Sequence, residues 1–172
     1  MKRLTILRHA KSSWDQPEGD DFDRPLNERG RHAAVRMGRE LKQRRMRFDV
    51  VLASPATRVR ETLDQVAKGY GHFDAELRFE QALYLADAAT LLDQVKALQD
   101  NFEAPLLVGH NPGLQRLILL LAAEDHKARR KLVAEKYPTA ALAVVELPAA
   151  RWSAIEWGSG TLAELILPRE LD

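Results

Sequence analysis

Apolar runs of strand length alternate with longer amphipathic stretches along this chain. Runs of apolar and strand-forming residues predict strands near residues 3–8, 48–54, 76–84 and 104–110. Each run is followed by an amphipathic pattern that predicts a helix, over 28–45, 55–68, 87–99 and 112–124. Further runs at 139–147, 152–157 and 161–168 predict closing strands. Because strands that alternate with helices form parallel sheets covered on both sides, we expect an α/β fold, a three-layer αβα sandwich with a mainly parallel sheet and helices on both faces.

Residues at the predicted helix starts support this division of the chain. Asn27 and Asp87 each precede a helical pattern, and their side-chain oxygens can accept hydrogen bonds from free N–H groups of a first turn. Pro55 and Pro112 are expected in the first turns of two helices. Proline lacks an N–H group, and N–H groups of a first turn make no helical hydrogen bond, so none is lost. Asn111 is then expected to cap the helix that begins at Pro112.

The composition and charge exclude several classes of function. The 172 residues are 45% hydrophobic and 30% charged, so we expect one domain over residues 1–172 with a full core. The 26 Lys and Arg balance 25 Asp and Glu, which leaves no net polycation for nucleic acid, and the absence of Cys excludes a thiol nucleophile. No apolar stretch is long enough for a signal peptide or a membrane span, so we expect a cytoplasmic protein without membrane contact, and a monomer.

Polar clusters follow three of the predicted strands. Arg8 and His9 lie at the end of the first, Ser54 and then Arg58 at the end of the second, and Gly109, His110 and Asn111 at the end of the run at 104–110. Ligands of open α/β sheets bind at the carboxyl ends of the strands, so we expect these clusters to meet at one edge of the sheet. Two imidazoles, two guanidinium groups and the N-termini of two helices suit a multiply charged anion, and they predict a phosphate site.

These motifs resemble those of the histidine phosphatase superfamily, the phosphoglycerate-mutase-like proteins. The family's Arg-His-Gly is present as Arg8-His9-Ala10, and its Ser-Pro-x-x-Arg-x-x-Glu-Thr as residues 54–62, SPATRVRET. Its second histidine is His110 in VGHNPGL. The resemblance runs from the first strand to at least the fourth helix. The segments LRHAKSSW, RPLNERG and GHNPG are most similar to the bacterial phosphohistidine phosphatases of the SixA type.

The resemblance implies a role for each matching residue. His9 is the expected nucleophile: an imidazole nitrogen displaces the phosphoryl group in line, and water then hydrolyses the phosphohistidine. Its other ring nitrogen is expected to donate to a backbone carbonyl. Arg8 and Arg58 are expected to bind phosphate oxygens, and His110, if protonated, adds a donor. The candidate substrate-binding residues are Arg8, Arg58, Ser12, Arg24 and Asn111.

The chain departs from the family pattern where other branches carry a proton donor. The mutase branch has a Glu general acid, and the phytase-like branch has an Asp after the second histidine, where this chain has Asn111. In the region where mutases carry their Glu general acid, this chain has only Glu80 and Asp87 as candidates, and neither lies in a matching motif. Asp15 stands where the mutase pattern has an Asn. An alkoxide leaving group needs a proton donor, whereas the imidazole of a phosphohistidine is weakly basic. The pattern therefore favours a P–N substrate.

The remaining polar residues have plainer interpretations. Asp20, Asp21 and Asp23 in the segment GDDFD lack the spacing of a calcium loop, so we interpret them as a solvated loop and expect no metal and no cofactor. His32, His72 and His126 show no metal-ligand spacing and are interpreted as ordinary surface or loop residues.

Three functions remain open on the sequence. The first is a metal-independent phosphatase that acts through phospho-His9 on a phosphohistidine protein such as a phosphotransfer domain. The second is a small-molecule phosphomonoesterase in which Glu80 or Asp87 supplies the proton. The third is a non-catalytic phosphate-binding regulatory module, against which the intact set of Arg8, His9, Arg58 and His110 argues.

Overall fold

A six-stranded mixed sheet forms the centre of the molecule in a computed structural model, which describes residues 1–14, 19–123 and 127–171. The strand order is β3-β2-β4-β1-β5-β6. β3, β2, β4 and β1 run parallel, and β5 and β6 add antiparallel at the edge beside β1. The strands are β1 Lys2–Arg8, β2 Val50–Ala53, β3 Glu76–Phe79, β4 Pro105–Gly109, β5 Leu142–Leu147 and β6 Thr161–Ile166.

Helices cover both faces of this sheet, and each face has its own core. The helices are α1 Glu28–Gln43, α2 Thr57–Tyr70, α3 Ala88–Lys96, α4 Gly113–Leu121 and α5 Lys127–Glu135. Because side chains alternate along a strand, Ile6 of β1 joins the core under α3, α4 and α5, whereas its neighbour Leu7 joins the core under α1 and α2. The predicted αβα sandwich with a mainly parallel sheet is confirmed.

α1 and α2 pack so closely that glycine is required between them. A Cβ atom on Gly38 of α1 would lie 2.0 Å from the carbonyl oxygen of Val66 in α2. The contact fixes α2, whose first turn carries Arg58, against α1. No helix among the described residues is long and apolar enough to cross a membrane.

The structure corrects several predicted boundaries. α2 begins at Thr57, so Pro55 precedes the first turn: Ala56 is still extended, and Ser54 Oγ accepts a hydrogen bond from its N–H at 3.3 Å. α4 begins at Gly113, so Pro112 takes the cap position and Asn111 lies one residue before it. Asn27 and Asp87 cap α1 and α3 as predicted.

The predicted strand at 152–157 is wrong. Residues Trp152–Ala154 form a 3-10 turn, because Trp152 is held by two hydrogen bonds outside any sheet. Its backbone N–H donates to Asp100 Oδ1 at 3.0 Å, and its indole N–H donates to the carbonyl of Phe102 at 2.8 Å. The short apolar run therefore fills the core beside α3 without joining the sheet.

Candidate active site

The carboxyl ends of β1, β2 and β4 meet at one edge of the sheet. The strand register pairs Arg8 of β1 with Gly109 of β4, and Ala53 of β2 with Val108 of β4. One residue further along, the N–H of His9 donates to the carbonyl of Gly109 at 3.1 Å, which brings its side chain beside that of His110. The structure thus places the polar clusters from three strands in one site.

An open cavity of about 480 Å³ lies at this edge. His9 and His110 line it and are only 6% and 3% exposed, whereas Trp14, which also lines the cavity, is 76% exposed. All the sequence-predicted site residues line this cavity: Arg8, His9, Ser12, Arg24, Arg58, His110 and Asn111.

His9 is held as a neutral imidazole with a defined tautomer. Its Nδ1 lies 2.7 Å from the carbonyl oxygen of Ala10. Because a carbonyl can only accept, Nδ1 carries the hydrogen and Nε2 keeps its lone pair. Burial, together with the nearby cations and His110, lowers the pKa of His9 to about 3, although the hydrogen bond to Ala10 acts in the opposite direction. The nitrogen that a nucleophile needs is therefore unprotonated at neutral pH.

His110 is also neutral in this environment. Burial first, and then the charge of Arg58, lowers the pKa of His110 to about 3. Its Nε2 lies 2.7 Å from Ser54 Oγ, and its ring centroid lies 5.3 Å from that of His9. The protonated donor considered from the sequence is therefore not the form that this environment favours.

The arginines in the cavity leave nitrogens without partners. Arg8 donates through one Nη to the carbonyl of Tyr137 at 3.1 Å, and Arg58, which is 2% exposed, donates to the carbonyl of Asp21 at 2.7 Å. Among the described residues, buried side-chain nitrogens without a hydrogen-bond partner include the Nε atoms of Arg8, Arg24 and Arg58 and the Nδ1 of His110. Three guanidinium groups, those of Arg8, Arg24 and Arg58, line the cavity, and guanidinium groups bind phosphate oxygens well, so an anion with several acceptor oxygens suits this site.

Asp21 is a site residue that the sequence interpretation missed. Its Oδ2 accepts from Arg58 Nη2 at 3.0 Å and from the hydroxyl of Tyr84 at 2.5 Å, and its Oδ1 accepts from Arg24 at 3.1 Å. Burial alone would raise the pKa of Asp21, but the hydrogen bonds from Tyr84, Arg24 and Arg58 outweigh it and lower the pKa to about 2. The solvated-loop interpretation of Asp21 is corrected, because its partners come from segments 37 and 63 residues away.

The cavity rim is built from the loop after β1 and the segment before α1. Arg24 donates to Ser12 Oγ, and its guanidinium lies 3.7 Å from the ring centroid of Trp14.

Asn111 donates through Nδ2 to the carbonyl of Tyr137 at 2.8 Å, and its Oδ1 accepts from the N–H of Gln115 at 3.3 Å. Asn111 thus lines the site while both of its amide atoms are used by the protein.

Two residues of α2 connect the loops that carry the site. Thr62 Oγ1 accepts from the N–H of Ala10 at 2.9 Å, and Glu61 accepts from the N–H of Leu26 at 2.8 Å. On the other side, a Cβ on Gly30 would lie 2.0 Å from the carbonyl oxygen of Lys11, so α1 packs directly against the loop after His9. These contacts fix the loop through its backbone.

The candidate proton donors named from the sequence do not reach the cavity. Glu80 is exposed at the end of β3, and Asp87 is exposed and uses Oδ1 to cap α3 through the N–H of Thr90. Neither lines the cavity, so the structure does not support the alternative in which Glu80 or Asp87 supplies the proton. Asp15 and His126 lie outside the described residues.

Comparison with known proteins gives the family. Residues 4–84 match the model of the histidine phosphatase superfamily, branch 1. An uncharacterized protein of Mycobacterium tuberculosis is 35% identical over 166 residues, which cover 95% of this chain and 100% of the relative. The chain belongs to the histidine phosphatase superfamily.

Solved structures of this superfamily share the whole fold. A candidate phosphohistidine phosphatase SixA from Agrobacterium tumefaciens is 28% identical, with a TM-score of 0.79, and the match covers 97% of this chain and 98% of that chain. A protein histidine phosphatase SixA complexed with tungstate has a TM-score of 0.79 over 98% of both chains at 23% identity, a likeness in fold. Family membership and the SixA-like fold place the chain among the phosphatases, which are hydrolases.

Proposed function

We propose that this chain is a phosphohistidine phosphatase that forms a phosphohistidine intermediate on His9 without a metal ion. The observation that carries the proposal is the neutral His9, whose Nδ1–H is held by Ala10 while Nε2 keeps its lone pair. It lies in a cavity that is also lined by the guanidinium groups of Arg8 and Arg58, which suit the oxygens of a phosphoryl group.

The reaction consists of two in-line displacements. Nε2 of His9 attacks the phosphorus of the substrate, a new P–N bond forms, and the bond from phosphorus to the leaving group breaks. Water then attacks the phosphorus of phospho-His9, which restores the imidazole and yields inorganic phosphate. Arg8, Arg58 and His110 bind the phosphoryl oxygens, and their charge and hydrogen bonds stabilise the transferring group in place of a metal ion.

The dianionic phosphoryl group also changes the protonation of His110. In the site as described, burial and the charge of Arg58 favour the neutral imidazole. A phosphoryl group in the cavity places negative charge near this ring and favours its protonated form. Proton uptake by His110 therefore accompanies phosphate binding in the proposed mechanism.

A phosphohistidine substrate suits the acid–base groups of this cavity. When the second ring nitrogen of the substrate carries a proton, breaking the P–N bond releases a neutral imidazole, so the protein need not supply a proton. An alkyl phosphate would release an alkoxide, which requires a general acid. Among the described residues that line the cavity, Asp21 is the one with a carboxyl group. Its pKa of about 2 keeps it ionised at neutral pH, so it has no proton to donate to an alkoxide.

The test measures phosphate release in EDTA from two substrates, a histidine-phosphorylated phosphotransfer domain and para-nitrophenyl phosphate. The wild type should hydrolyse the phosphoprotein with the higher kcat/KM, and His9→Ala should abolish turnover of both. His72→Ala, which removes an exposed imidazole outside the cavity, is the matched control and should behave as wild type. Preference for the phosphoester would indicate the small-molecule phosphomonoesterase. No turnover of either substrate by the wild type would indicate the phosphate-binding module and refute the proposal.

A further inference from the structure

A second and larger groove continues from the catalytic cavity. It has a volume of about 810 Å³ and lies between α1, the end of α5 and the C-terminal turn Pro168–Glu170. Lys11, Lys136, Pro138 and Thr139 line both the groove and the cavity, so the two are continuous. A molecule with its phosphoryl group at His9 can therefore extend into this groove.

The groove is strongly basic although the chain is nearly neutral. The cations that line it are Lys11, Arg29, Arg36, Arg39, Lys136 and Arg169, against the single carboxylate of Glu135. In the part of the chain that the structure describes, none of these six cations forms a salt bridge. The Nε of Arg36 is buried without a hydrogen-bond partner. The molecule thus concentrates unpaired positive charge beside its catalytic cavity.

The length and lining of the groove favour a protein ligand over a small one. Arg29, Arg36 and Arg39 lie on the face of α1 that lines the groove, and the ten-residue step from Arg29 to Arg39 spans about 15 Å of helix. This is about three helical turns, longer than a small phosphoester requires. The opposite wall carries the apolar side chains of Leu132 and Leu171. No Phe, Tyr or Trp among the described residues lines the groove, whereas sites for single-stranded nucleic acid use such rings to stack bases.

We propose that this basic groove docks an acidic, partly apolar helical segment of the phosphorylated protein substrate next to its phosphohistidine. The inference rests on the proposed function, because it assumes that the phosphoryl group arrives on a protein. Carboxylates of the substrate pair with the arginines of α1, and apolar side chains of the substrate contact the opposite wall. The groove then supplies specificity and association rate, while the chemistry remains with His9.

The test reverses charge in the groove without touching the catalytic cavity. The double variant Arg36→Glu/Arg39→Glu changes two groove cations, and Arg45→Glu/Arg47→Glu changes two exposed cations just beyond α1 and outside the groove. The substrates are an acidic histidine-phosphorylated phosphotransfer protein and para-nitrophenyl phosphate. The groove variant should lose roughly tenfold or more in kcat/KM for the phosphoprotein, while its turnover of para-nitrophenyl phosphate stays within about twofold of wild type. The control variant should match wild type on both.

A binding measurement separates failure of this inference from failure of the proposed function. The probe is a fluorescein-labelled 20-residue helical peptide of glutamate and leucine, with single-stranded DNA of equal charge as competitor. The wild type and the control variant should bind the peptide, the groove variant should bind it at least tenfold more weakly, and DNA should compete poorly. Equal peptide binding by wild type and groove variant, or preferential binding of the DNA, overturns the docking inference whatever the turnover. Absent turnover of both substrates by the wild type overturns the proposed function instead.

Discussion

Acid should destabilise this fold through the two buried histidines of the site. His9 and His110 have pKa values of about 3 in the folded chain, against 6.5 for an unperturbed histidine. Between these values the unfolded chain binds a proton at each imidazole and the folded chain does not. The stabilisation from neutral burial is therefore complete above pH 6.5 and is lost as pH falls towards 3.

The size of this effect follows from the shifts. A shift of one pKa unit corresponds to about 1.36 kcal/mol. Between pH 7 and pH 5, protonation of an imidazole with a pKa of 6.5 stabilises the unfolded chain by the equivalent of about 1.4 pKa units, whereas the folded imidazole stays unprotonated. Each histidine thus removes about 2 kcal/mol of unfolding free energy over that range, and the pair about 4 kcal/mol. The carboxyl group of Asp21, with its pKa of about 2, titrates below this window.

Urea unfolding followed by circular dichroism at pH 7 and pH 5 measures this loss. His9→Gln and His110→Gln each remove one titrating group, so each should reduce the difference in unfolding free energy between the two pH values by about 2 kcal/mol, and the double variant by about 4 kcal/mol. His72→Gln, which changes an exposed side chain outside the site, should keep the wild-type difference. A double variant that still loses as much stability as the wild type would refute the assignment of neutral buried histidines.

Three further predictions concern Arg58, Asp21 and Gly30, which packs against the loop after His9. Arg58→Lys should lower kcat for phosphate release roughly a hundred- to a thousandfold, because an ammonium group cannot reproduce the planar fork; a loss below tenfold would contradict its proposed role. Asp21→Asn should lower kcat/KM by about tenfold for para-nitrophenyl phosphate and by the same factor for alkyl phosphates, because Asp21 acts through the guanidinium groups that it holds. A loss confined to alkyl phosphates would instead identify Asp21 as a general acid. Gly30→Ala should destabilise the fold by roughly 1–3 kcal/mol in urea unfolding, because its Cβ would meet the carbonyl of Lys11, and an unchanged midpoint would show that the loop can move away.

The elements that the sequence predicted well are those determined by local patterns. β1 and β4 are apolar runs buried on both faces, and Asn27 and Asp87 cap their helices through hydrogen bonds three residues along the chain. Such signals lie within a few residues and can be identified directly. The local pattern at 152–157 wrongly predicted a strand. The indole of Trp152 instead donates a hydrogen bond to the carbonyl of Phe102, a residue far along the chain.

The candidate site shows the same limit. The sequence could bring Arg8, His9, Arg58 and His110 together because each lies at or shortly after the end of a parallel strand, and such strands end at one sheet edge. Asp21 could not be identified, since its hydrogen bonds to Arg58 and Tyr84 join distant segments and its neighbours in GDDFD look like a solvated loop. The burial that lowers the pKa values of both histidines likewise depends on tertiary packing.

The most direct test of the proposed mechanism is detection of the phosphoryl group on His9. Wild-type protein is mixed with a phosphoprotein labelled with ³²P on histidine and quenched in alkali within milliseconds, because phosphohistidine survives alkali and is lost in acid. We expect a labelled, acid-labile peptide that contains His9. This signal should be absent from His9→Ala and should last longer in variants that slow the second displacement. Turnover by the wild type with label at another residue, or with no labelled enzyme at any quench time, would contradict a covalent intermediate on His9.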